Sequence, residues 1–330
     1  MQVNASDFIQ QTVQSKLIHF DELAMQLYRY QIQHNEVFAQ YLQLSNAPTN
    51  HLGISSLRFL PISFFKSHEV KTGEFQPQLT FTSSTTTGTI PSRHVVGNPN
   101  FYKQSYEKAF QLFYGDPAEY TFLFLLPNYL ERSGSSLVYM AQGLQQLSNQ
   151  GDSGFYLYDF EKLAQTIHRL KQENKRIFLL GVTFALLDFA EQFPLDLHGH
   201  VVMETGGMKG RKEELTRQQV HQYLKQQFNL DTVHAEYGMT ELLSQAYSKG
   251  NGLFACPPWM KVVITDPNDP FTSLPAGKTG VINVIDLANV ESCAFIQTQD
   301  LGKMHEDGRF EVLGRIDFSE LRGCNLMYAG

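Results

Sequence analysis

The beginning of the chain has the pattern of paired helices. Residues 6–44 contain neither glycine nor proline. Apolar side chains recur there at near-helical spacing, at Leu23, Leu27, Tyr30, Val37, Phe38, Tyr41 and Leu42. This spacing predicts two helices, and we expect residues 1–50 to form a helical segment packed on the body of the protein.

From Leu57 to about residue 255, short apolar runs alternate with longer segments of helical pattern. Five runs each end in a turn, as strands do: LTFTSS, YTFLFLLP, GFYLYDF, RIFLLGVT and HGHVVMETGG. Strands that alternate with helices predict an α/β fold with a mostly parallel sheet flanked by helices. Such sheets bind ligands at the carboxyl ends of their strands, so the turns after these runs are the places to search for chemistry.

The pattern changes after about residue 255. Short β-like runs are separated there by Asp-Pro and glycine turns, in MKVVITDP, GKTGVINVIDL, CAFIQTQDLGKM and GRFEVLGRIDF. These runs predict an antiparallel or barrel-like region on the C-terminal side of the α/β part.

Composition narrows the classes of function. The 330 residues carry a net charge of −7 without a long basic run, which argues against a nucleic-acid partner. Cys256, Cys293 and Cys324 form no CxxC pair, so neither a zinc site nor a disulfide framework is indicated. No secretory signal and no apolar run long enough for a transmembrane segment is found, so we expect a cytoplasmic protein.

A hydroxyl-rich turn follows the first predicted strand. The stretch FTSSTTTGTIPSRH, residues 81–94, leads from that strand through a Ser/Thr and glycine turn toward a helix predicted from about Asn100. Backbone N–H groups and small hydroxyls in such a turn can bind phosphate oxygens, and glycine allows close approach of a ligand. A polar surface loop would have the same composition, so both interpretations stay open at this point.

Acidic residues in two further motifs suit a nucleotide. In HAEYGMTE, residues 234–241, Glu241 could hold Mg²⁺ and Tyr237 could offer a flat face to a base, although a glutamate after a turn is also common at a helix start. Asp300 and Arg315 flank the predicted hairpin turn HEDGRF, so they could meet at the base of a β-ribbon. They would then grip ribose and phosphate, or form a simple cross-strand ion pair.

The order of these motifs resembles the adenylate-forming superfamily of acyl-CoA synthetases and phenylacetate-CoA ligases, over about residues 57–324. The segments LPISFFK, SRHVV, ETGGMKGRKEEL and LRGCNLMY look most like LuxE-type acyl-protein synthetases. The resemblance implies ATP and Mg²⁺ as cofactors. It places the phosphates at Thr85, Thr86, Thr87 and Gly88, the α-phosphate at Thr240, Mg²⁺ at Glu241, adenine between Tyr237 and the turn Gly206-Gly207, and ribose and phosphate contacts at Asp300 and Arg315.

Two departures from the superfamily pattern bear on the site and on the domains. Thr85 stands where the phosphate loop usually has its first glycine, and Arg93 stands near the usual lysine. The chain stops soon after the hinge-like RIDFSELRG, as LuxE-like proteins do. We therefore expect residues 51–314 to form the large domain and residues 315–330 a hinge-like tail, with the mobile C-terminal domain absent.

The resemblance implies ATP-dependent activation of a carboxylic acid, in particular a fatty acid, to an acyl adenylate. The acyl group would then pass to a thiol, with Cys324 as the candidate nucleophile and a fatty acid or acyl-CoA reductase as the candidate partner. Cys256 and Cys293 lie in apolar contexts typical of core residues. Two alternatives stay open: an acyl- or aryl-CoA ligase that uses coenzyme A, and an inactive nucleotide- or acyl-binding protein.

Overall fold

The structure is a computed structural model that describes residues 19–45, 53–83, 90–126, 134–148, 150–206 and 215–316. Six of the predicted site residues lie outside the described residues: Thr85, Thr86, Thr87, Gly88, Gly207 and Cys324. The other predicted site residues, from Gly206 to Arg315, are described.

The described helices are α1 (Phe20–His34), α2 (Glu36–Leu44), α3 (Phe64–Ser67), α4 (Pro99–Tyr114), α5 (Ser136–Ser148), α6 (Phe160–Gln172), α7 (Thr183–Gln192) and α8 (Arg217–Phe228), with 3₁₀ turns at Ile54–Ser56 and Pro117–Glu119. The described strands are β1 (Leu60–Pro61), β2 (Leu79–Thr82), β3 (Arg93–Val96), β4 (Tyr120–Leu125), β5 (Gly154–Phe155), β6 (Arg176–Val182), β7 (Val201–Thr205), β8 (His234–Tyr237), β9 (Ala246–Ser248), β10 (Leu253–Ala255), β11 (Met260–Thr265), β12 (Thr279–Asp286), β13 (Phe295–Met304) and β14 (Phe310–Arg315).

One sheet of twelve strands connects the two regions that the sequence pattern predicts. Its order is β11-β12-β13-β14-β10-β9-β8-β7-β6-β4-β5, with β1 added in parallel beside β13. Strands β4 to β8 pair in parallel, and the pairs from β8 through β9, β10 and β14 to β11 are antiparallel. The α/β fold with a C-terminal antiparallel region is therefore confirmed, and its two halves share a continuous ladder. No helix in the described part of the chain is long and apolar enough to cross a membrane.

Two helices occur within residues 6–44, as predicted, although residues 6–18 lie outside the described residues. The second helix begins at Glu36, and the side chain of the preceding Asn35 caps it by accepting from the Phe38 backbone N–H. Leu27, Tyr28 and Phe38 are fully buried, and the Tyr28 ring meets Phe295 edge-on at 4.9 Å. The pair of helices thus packs its apolar faces against the antiparallel half of the sheet.

Two local predictions differ from the structure. The run GFYLYDF forms only the two-residue strand β5, because Leu157 adopts a positive φ of 52° and the chain turns before the start of α6. The segment SRHVV forms β3, which pairs antiparallel with β2, where the sequence pattern predicts a turn leading to a helix. The hydroxyl-rich stretch therefore lies, in sequence, between two strands of a small separate sheet, and α4 follows after β3.

The predicted hairpin between Asp300 and Arg315 is confirmed. The two residues are direct cross-strand partners of β13 and β14. The turn between the strands contains Gly308, whose φ of +82° favours glycine.

The first prediction concerns Gln31 of α1, which is fully buried. Its amide nitrogen lies 3.0 Å from the carbonyls of both Asn289 and Val290, and its oxygen accepts from the Ala294 N–H at 2.9 Å. Gln31→Met keeps the volume but removes these hydrogen bonds and leaves buried backbone groups unpaired. We expect it to lower the free energy of unfolding by about 2–4 kcal/mol in chemical denaturation.

Gln33→Met is the matched control, because Gln33 is an exposed glutamine of the same helix. It should change the free energy of unfolding by no more than about 0.5 kcal/mol. Equal stability of the two variants would contradict the inferred contribution of Gln31.

Candidate functional site

A hydrogen bond between Tyr237 and Asp300 joins the parallel and antiparallel halves of the sheet at the candidate site. Tyr237 is the last residue of β8, and its hydroxyl donates to Asp300 Oδ2 on β13 at 2.9 Å. The Tyr237 ring is 7% exposed and packs near Phe254 and Phe310. The HAEYGMTE motif and the Asp300 hairpin, 63 residues apart in sequence, therefore lie side by side. A stacking role of Tyr237 toward adenine stays a prediction.

Asp300 and Arg315 form a loose ion pair. Arg315 Nε lies 3.7 Å from Asp300 Oδ1, and the Arg315 side chain is 79% exposed whereas that of Asp300 is 17% exposed. Burial raises the pKa of Asp300, and the Tyr237 hydroxyl and the charges of Arg315 and Arg217 oppose that rise. An exposed pair at this distance contributes little to stability. The arrangement can instead offer a hydrogen-bond acceptor and a cation to a ligand.

Glu241 is a buried carboxylate with two positive charges acting on it. It is 5% exposed, and burial raises its pKa. The Ser92 hydroxyl, the backbone N–H of Glu241 itself and the positive charges of Lys66 and Arg315 act in the opposite direction. Arg315 therefore acts electrostatically on both Glu241 and Asp300.

The donor set fits Mg²⁺ bound jointly by protein and substrate. Within the described ranges, no group of three or more His, Cys, Asp or Glu side chains is arranged to hold a metal ion. Mg²⁺ commonly takes one or two carboxylates and completes its shell with phosphate and water oxygens. A single buried carboxylate such as Glu241 matches that requirement.

The ends of the hydroxyl-rich turn lie close to Glu241. The Ser83 N–H donates to the Ser92 carbonyl at 3.1 Å, and the Ser92 N–H donates to Ser83 Oγ at 2.9 Å. These two bonds join the described residues that precede and follow the segment 84–89. Since the Ser92 hydroxyl also bonds the Glu241 carboxylate, the turn begins and ends beside the candidate cation ligand.

Gly206 starts the turn that follows β7. Its φ of +74° is a conformation that glycine adopts without strain. The Thr183 hydroxyl lies 2.8 Å from both the Gly206 carbonyl and Glu204 Oε2. Arg217 bonds Glu204 Oε1 at 3.2 Å and the Val312 carbonyl at 3.1 Å, which ties this turn to β14. Gly206 is thus held at the same edge of the sheet as Tyr237.

Residues 238–245, which we call the motif loop, are held by three buried side chains to which the sequence pattern assigned no role. His94 Nδ1 lies 2.8 Å from the Thr240 carbonyl, and Asn289 Nδ2 donates to the Glu241 carbonyl at 2.8 Å. Asp286 accepts from the Leu243 N–H at 2.8 Å. The sequence does contain a signal for Asp286 and Asn289, because both lie in the otherwise apolar run INVIDLANV. Polar residues inside a core segment need hydrogen-bond partners.

Neither described cysteine has the surroundings of a nucleophile. Cys293 is fully buried, as the sequence pattern predicts, and Cys256 is half-buried. Burial raises the pKa of both thiols to about 12. Reactive cysteines have a lowered pKa, so these two are poor acceptors of an acyl group.

The second prediction concerns Glu236, a buried acid next to Tyr237. Burial raises its pKa from 4.5 to about 7, and the neighbouring Glu204 adds to the rise while the Thr205 hydroxyl opposes it. The folded state therefore holds this proton more tightly than the unfolded chain does. The stability contributed by the protonated group is complete below pH 4.5 and is lost as the pH rises through about 7.

The measurement compares the free energy of unfolding of the wild type and Glu236→Gln from pH 4.5 to 8. The wild type should lose about 3 kcal/mol relative to the variant across this range. Asp286, whose pKa burial raises to about 6, is present in both proteins, and its effect cancels. Tyr102 and Tyr247, which face Glu236, stay neutral because burial raises their pKa values. Parallel stability curves would contradict the buried-acid assignment.

Comparisons of structure show which fold this is. An open conformation of 2-hydroxyisobutyryl-CoA ligase, in complex with 2-HIB-AMP and CoA, matches with a TM-score of 0.64 at 11% identity, over 94% of this chain and 75% of that chain. ATP-bound MatB from Rhodopseudomonas palustris matches with a TM-score of 0.51 at 16% identity, over 72% of this chain and 47% of that chain. The fold is therefore that of the adenylate-forming enzymes.

Comparisons of sequence show the family. Two curated relatives, each a long-chain-fatty-acid–luciferin-component ligase, are 24% identical: the one from Vibrio harveyi over 184 residues and the one from Aliivibrio fischeri over 189. The matches cover 51% and 52% of this chain and 48% and 50% of the relatives, so the chain spans about half the length of these proteins. The profile of the family described as acyl-protein synthetase, LuxE, matches residues 135–329, which is more than half of the chain. The chain belongs to the LuxE family of acyl-protein synthetases.

Proposed function

We propose that this protein activates a carboxylic acid with ATP to form an acyl adenylate and then transfers the acyl group to a thiol. The observation that carries the proposal is the convergence of the Tyr237–Asp300 bond, the Asp300–Arg315 pair and buried Glu241 at one edge of an adenylate-forming fold. Family membership supports the same reaction class. The names of the two curated relatives favour a long-chain fatty acid as the substrate.

In the first step, a carboxylate oxygen of the substrate attacks the α-phosphorus of ATP. The new bond joins that oxygen to phosphorus, and the bond from the α-phosphorus to the bridging oxygen breaks, which releases pyrophosphate with the electron pair. Asp300 would accept hydrogen bonds from the ribose hydroxyls, and Arg315 would help to fix the nucleotide. Thr240 and residues 85–88 would contact the phosphates, with Gly206 and Tyr237 beside the adenine.

Charge neutralisation is the main requirement of this step. Glu241 would hold Mg²⁺, which when bound neutralises charge on the phosphate oxygens. The positive charges of Lys66 and Arg315, which act on Glu241, would also attract the phosphates. The buried position of Glu241 keeps bulk water from screening these interactions.

In the second step, a thiolate sulfur attacks the acyl carbonyl carbon, the bond from that carbon to the phosphate oxygen breaks, and AMP leaves. The thiol proton goes to solvent. Cys324 is the proposed acceptor, because burial raises the pKa of both described cysteines and makes them poor nucleophiles. A reductase that takes the acyl group from Cys324 is the proposed partner.

The third prediction tests acid activation. The wild type should catalyse exchange of labelled pyrophosphate into ATP that depends on added long-chain fatty acid and Mg²⁺. Asp300→Ala removes the acceptor for the ribose hydroxyls and should lower kcat/KM for ATP about 10- to 100-fold, since bonds to charged groups contribute about 1.5–3 kcal/mol. The KM for the acid should stay unchanged.

Asp307→Ala is the control for this variant. Asp307 lies in the exposed turn of the same hairpin and pairs with Arg309 at 2.6 Å. Its loss should leave exchange as in the wild type. Nucleotide binding without any acid-dependent exchange by the wild type would refute the proposed activity and favour a binding protein.

The fourth prediction separates the two steps. Cys324→Ala should retain pyrophosphate exchange but lose covalent labelling of the protein by radioactive fatty acid, whereas Cys256→Ala should retain both. The wild-type label should be released by hydroxylamine, as a thioester is. Unchanged labelling of Cys324→Ala would exclude Cys324 as the acceptor, and acyl-CoA formed on addition of coenzyme A would identify the acceptor of the alternative ligase.

A further inference from the structure

We propose that His94 and Asn289 are positioning residues that together fix the direction in which Glu241 presents its carboxylate. The proposal rests on the proposed function, because it assigns Glu241 a partner in the nucleotide site. Its basis is that the two side chains contact two successive backbone carbonyls, those of Thr240 and Glu241. We call this pair of contacts the carbonyl clamp.

The His94 half of the clamp is a buried imidazole on β3. The residue is fully buried, with its ring edge-on to Phe65 at 5.8 Å and tilted to Phe81 at 6.3 Å. Burial lowers the pKa of His94 to about 4, so the ring is neutral near pH 7 and carries one N–H. Both ring nitrogens face oxygens that can only accept, the Thr240 carbonyl 2.8 Å from Nδ1 and Asn289 Oδ1 3.1 Å from Nε2, and a neutral ring can donate to one of them. We assign the proton to Nδ1, which makes the shorter contact.

The Asn289 half of the clamp has a determined amide orientation. Asn289 Nδ2 donates to the Glu241 carbonyl at 2.8 Å and to the Cys293 carbonyl at 2.9 Å. Two carbonyl partners require the nitrogen at this position, which directs Oδ1 toward His94 Nε2 at 3.1 Å. With the proton on Nδ1, Nε2 and Asn289 Oδ1 are two acceptors that face each other without a hydrogen bond. Each side chain then supplies its donor to a different carbonyl of the motif loop.

The geometry of the peptide bond turns these two contacts into control of one side chain. The Thr240 carbonyl belongs to the peptide plane that precedes the Glu241 Cα, and the Glu241 carbonyl belongs to the plane that follows it. Because each peptide unit is planar, holding both carbonyls restricts the two backbone dihedrals at Glu241 and with them the direction of its Cα–Cβ bond. The Ser92 hydroxyl bonds the carboxylate at the other end of the side chain. A carboxylate held in this way needs less reorganisation when phosphate and cation arrive.

The clamp is braced from behind by other elements. The backbone carbonyl of Asn289 accepts from Gln31 of α1 at 3.0 Å, and Asp286 holds the later part of the motif loop through the Leu243 N–H. Asn289 is fully buried, so little space is available for its amide to turn. His94 lies on β3, which pairs with the strand that leads into the hydroxyl-rich turn, so the clamp also links that turn to Glu241.

The fifth prediction uses three substitutions of His94 that differ in where they place a donor. His94→Asn puts an amide nitrogen near the position of Nδ1 and can keep the bond to Thr240. His94→Gln puts it near Nε2, toward the Asn289 oxygen, and His94→Leu removes the donor. In acid-dependent pyrophosphate exchange, we expect His94→Leu and His94→Gln to raise the KM for Mg·ATP about tenfold, with the KM for the fatty acid unchanged. The KM of His94→Asn for Mg·ATP should stay close to that of the wild type.

Asn283→Leu is the matched control for a purely structural effect. Asn283 is also a fully buried asparagine, and its amide donates to the carbonyls of Val263 and Val281. Loss of folded protein lowers kcat but leaves KM unchanged, so this control should show a lower yield or stability with a normal KM for Mg·ATP.

A second readout does not depend on activity. Hydrogen exchange of the backbone amides of residues 238–245 should be faster in His94→Leu than in His94→Asn, and unchanged in Asn283→Leu. Equal exchange in His94→Leu and the wild type, or an unchanged KM for Mg·ATP in an active His94→Leu protein, would overturn the clamp. Absence of pyrophosphate exchange in the wild type would instead refute the proposed function.

Discussion

The candidate site depends on buried hydrogen bonds between the motif loop and residues 286–294, the segment that leads from β12 into β13. Within this segment, Asn289 bonds the carbonyl of Glu241 and Asp286 accepts from the N–H of Leu243. The segment is in turn bonded by Gln31 of α1 and by Asn35 at the start of α2. All of these polar groups are buried, and a buried polar group without a partner is strongly unfavourable. Each group in the series therefore needs its partner. A continuous path of buried polar contacts thus runs from the N-terminal helices to Glu241.

The sheet topology explains why the site forms at this place. Parallel strands β6, β7 and β8 end at one edge, where Gly206 follows β7 and Tyr237 ends β8. The ladder then changes to antiparallel at β9, and the long hairpin of β13 and β14 brings Asp300 and Arg315 toward the same edge. A purely parallel sheet would have placed only turns there. The mixed sheet adds side chains from the middle of a strand, which are held more rigidly than those of a turn.

The charges at this edge are arranged around shielded acids. Burial raises the pKa values of Glu236, Glu241 and Asp300. The positive charges of Lys66 and Arg315 act on Glu241, and those of Arg315 and Arg217 act on Asp300. Burial disfavours the charged form of a carboxylate, and an opposite charge placed beside it favours that form. The exposed guanidinium of Arg315 is free to turn toward a phosphate, since its pair with Asp300 is long. A bound metal ion and nucleotide would therefore balance the charges of Glu241, Asp300 and Arg315, which the folded chain neutralises only in part.

The sequence by itself determined the features that depend on local pattern. Helical spacing predicted α1 and α2, the apolar runs predicted β4, β6 and β7, and the turn between Asp300 and Arg315 predicted their pairing, because short-range periodicity and turn chemistry act within a few residues. It did not predict β3, which forms only because β2 lies beside it. It also assigned no role to His94 or Asn289, whose partners lie 146 and 48 residues away. Only the tertiary structure decides which distant carbonyls become buried and therefore which polar side chains must satisfy them.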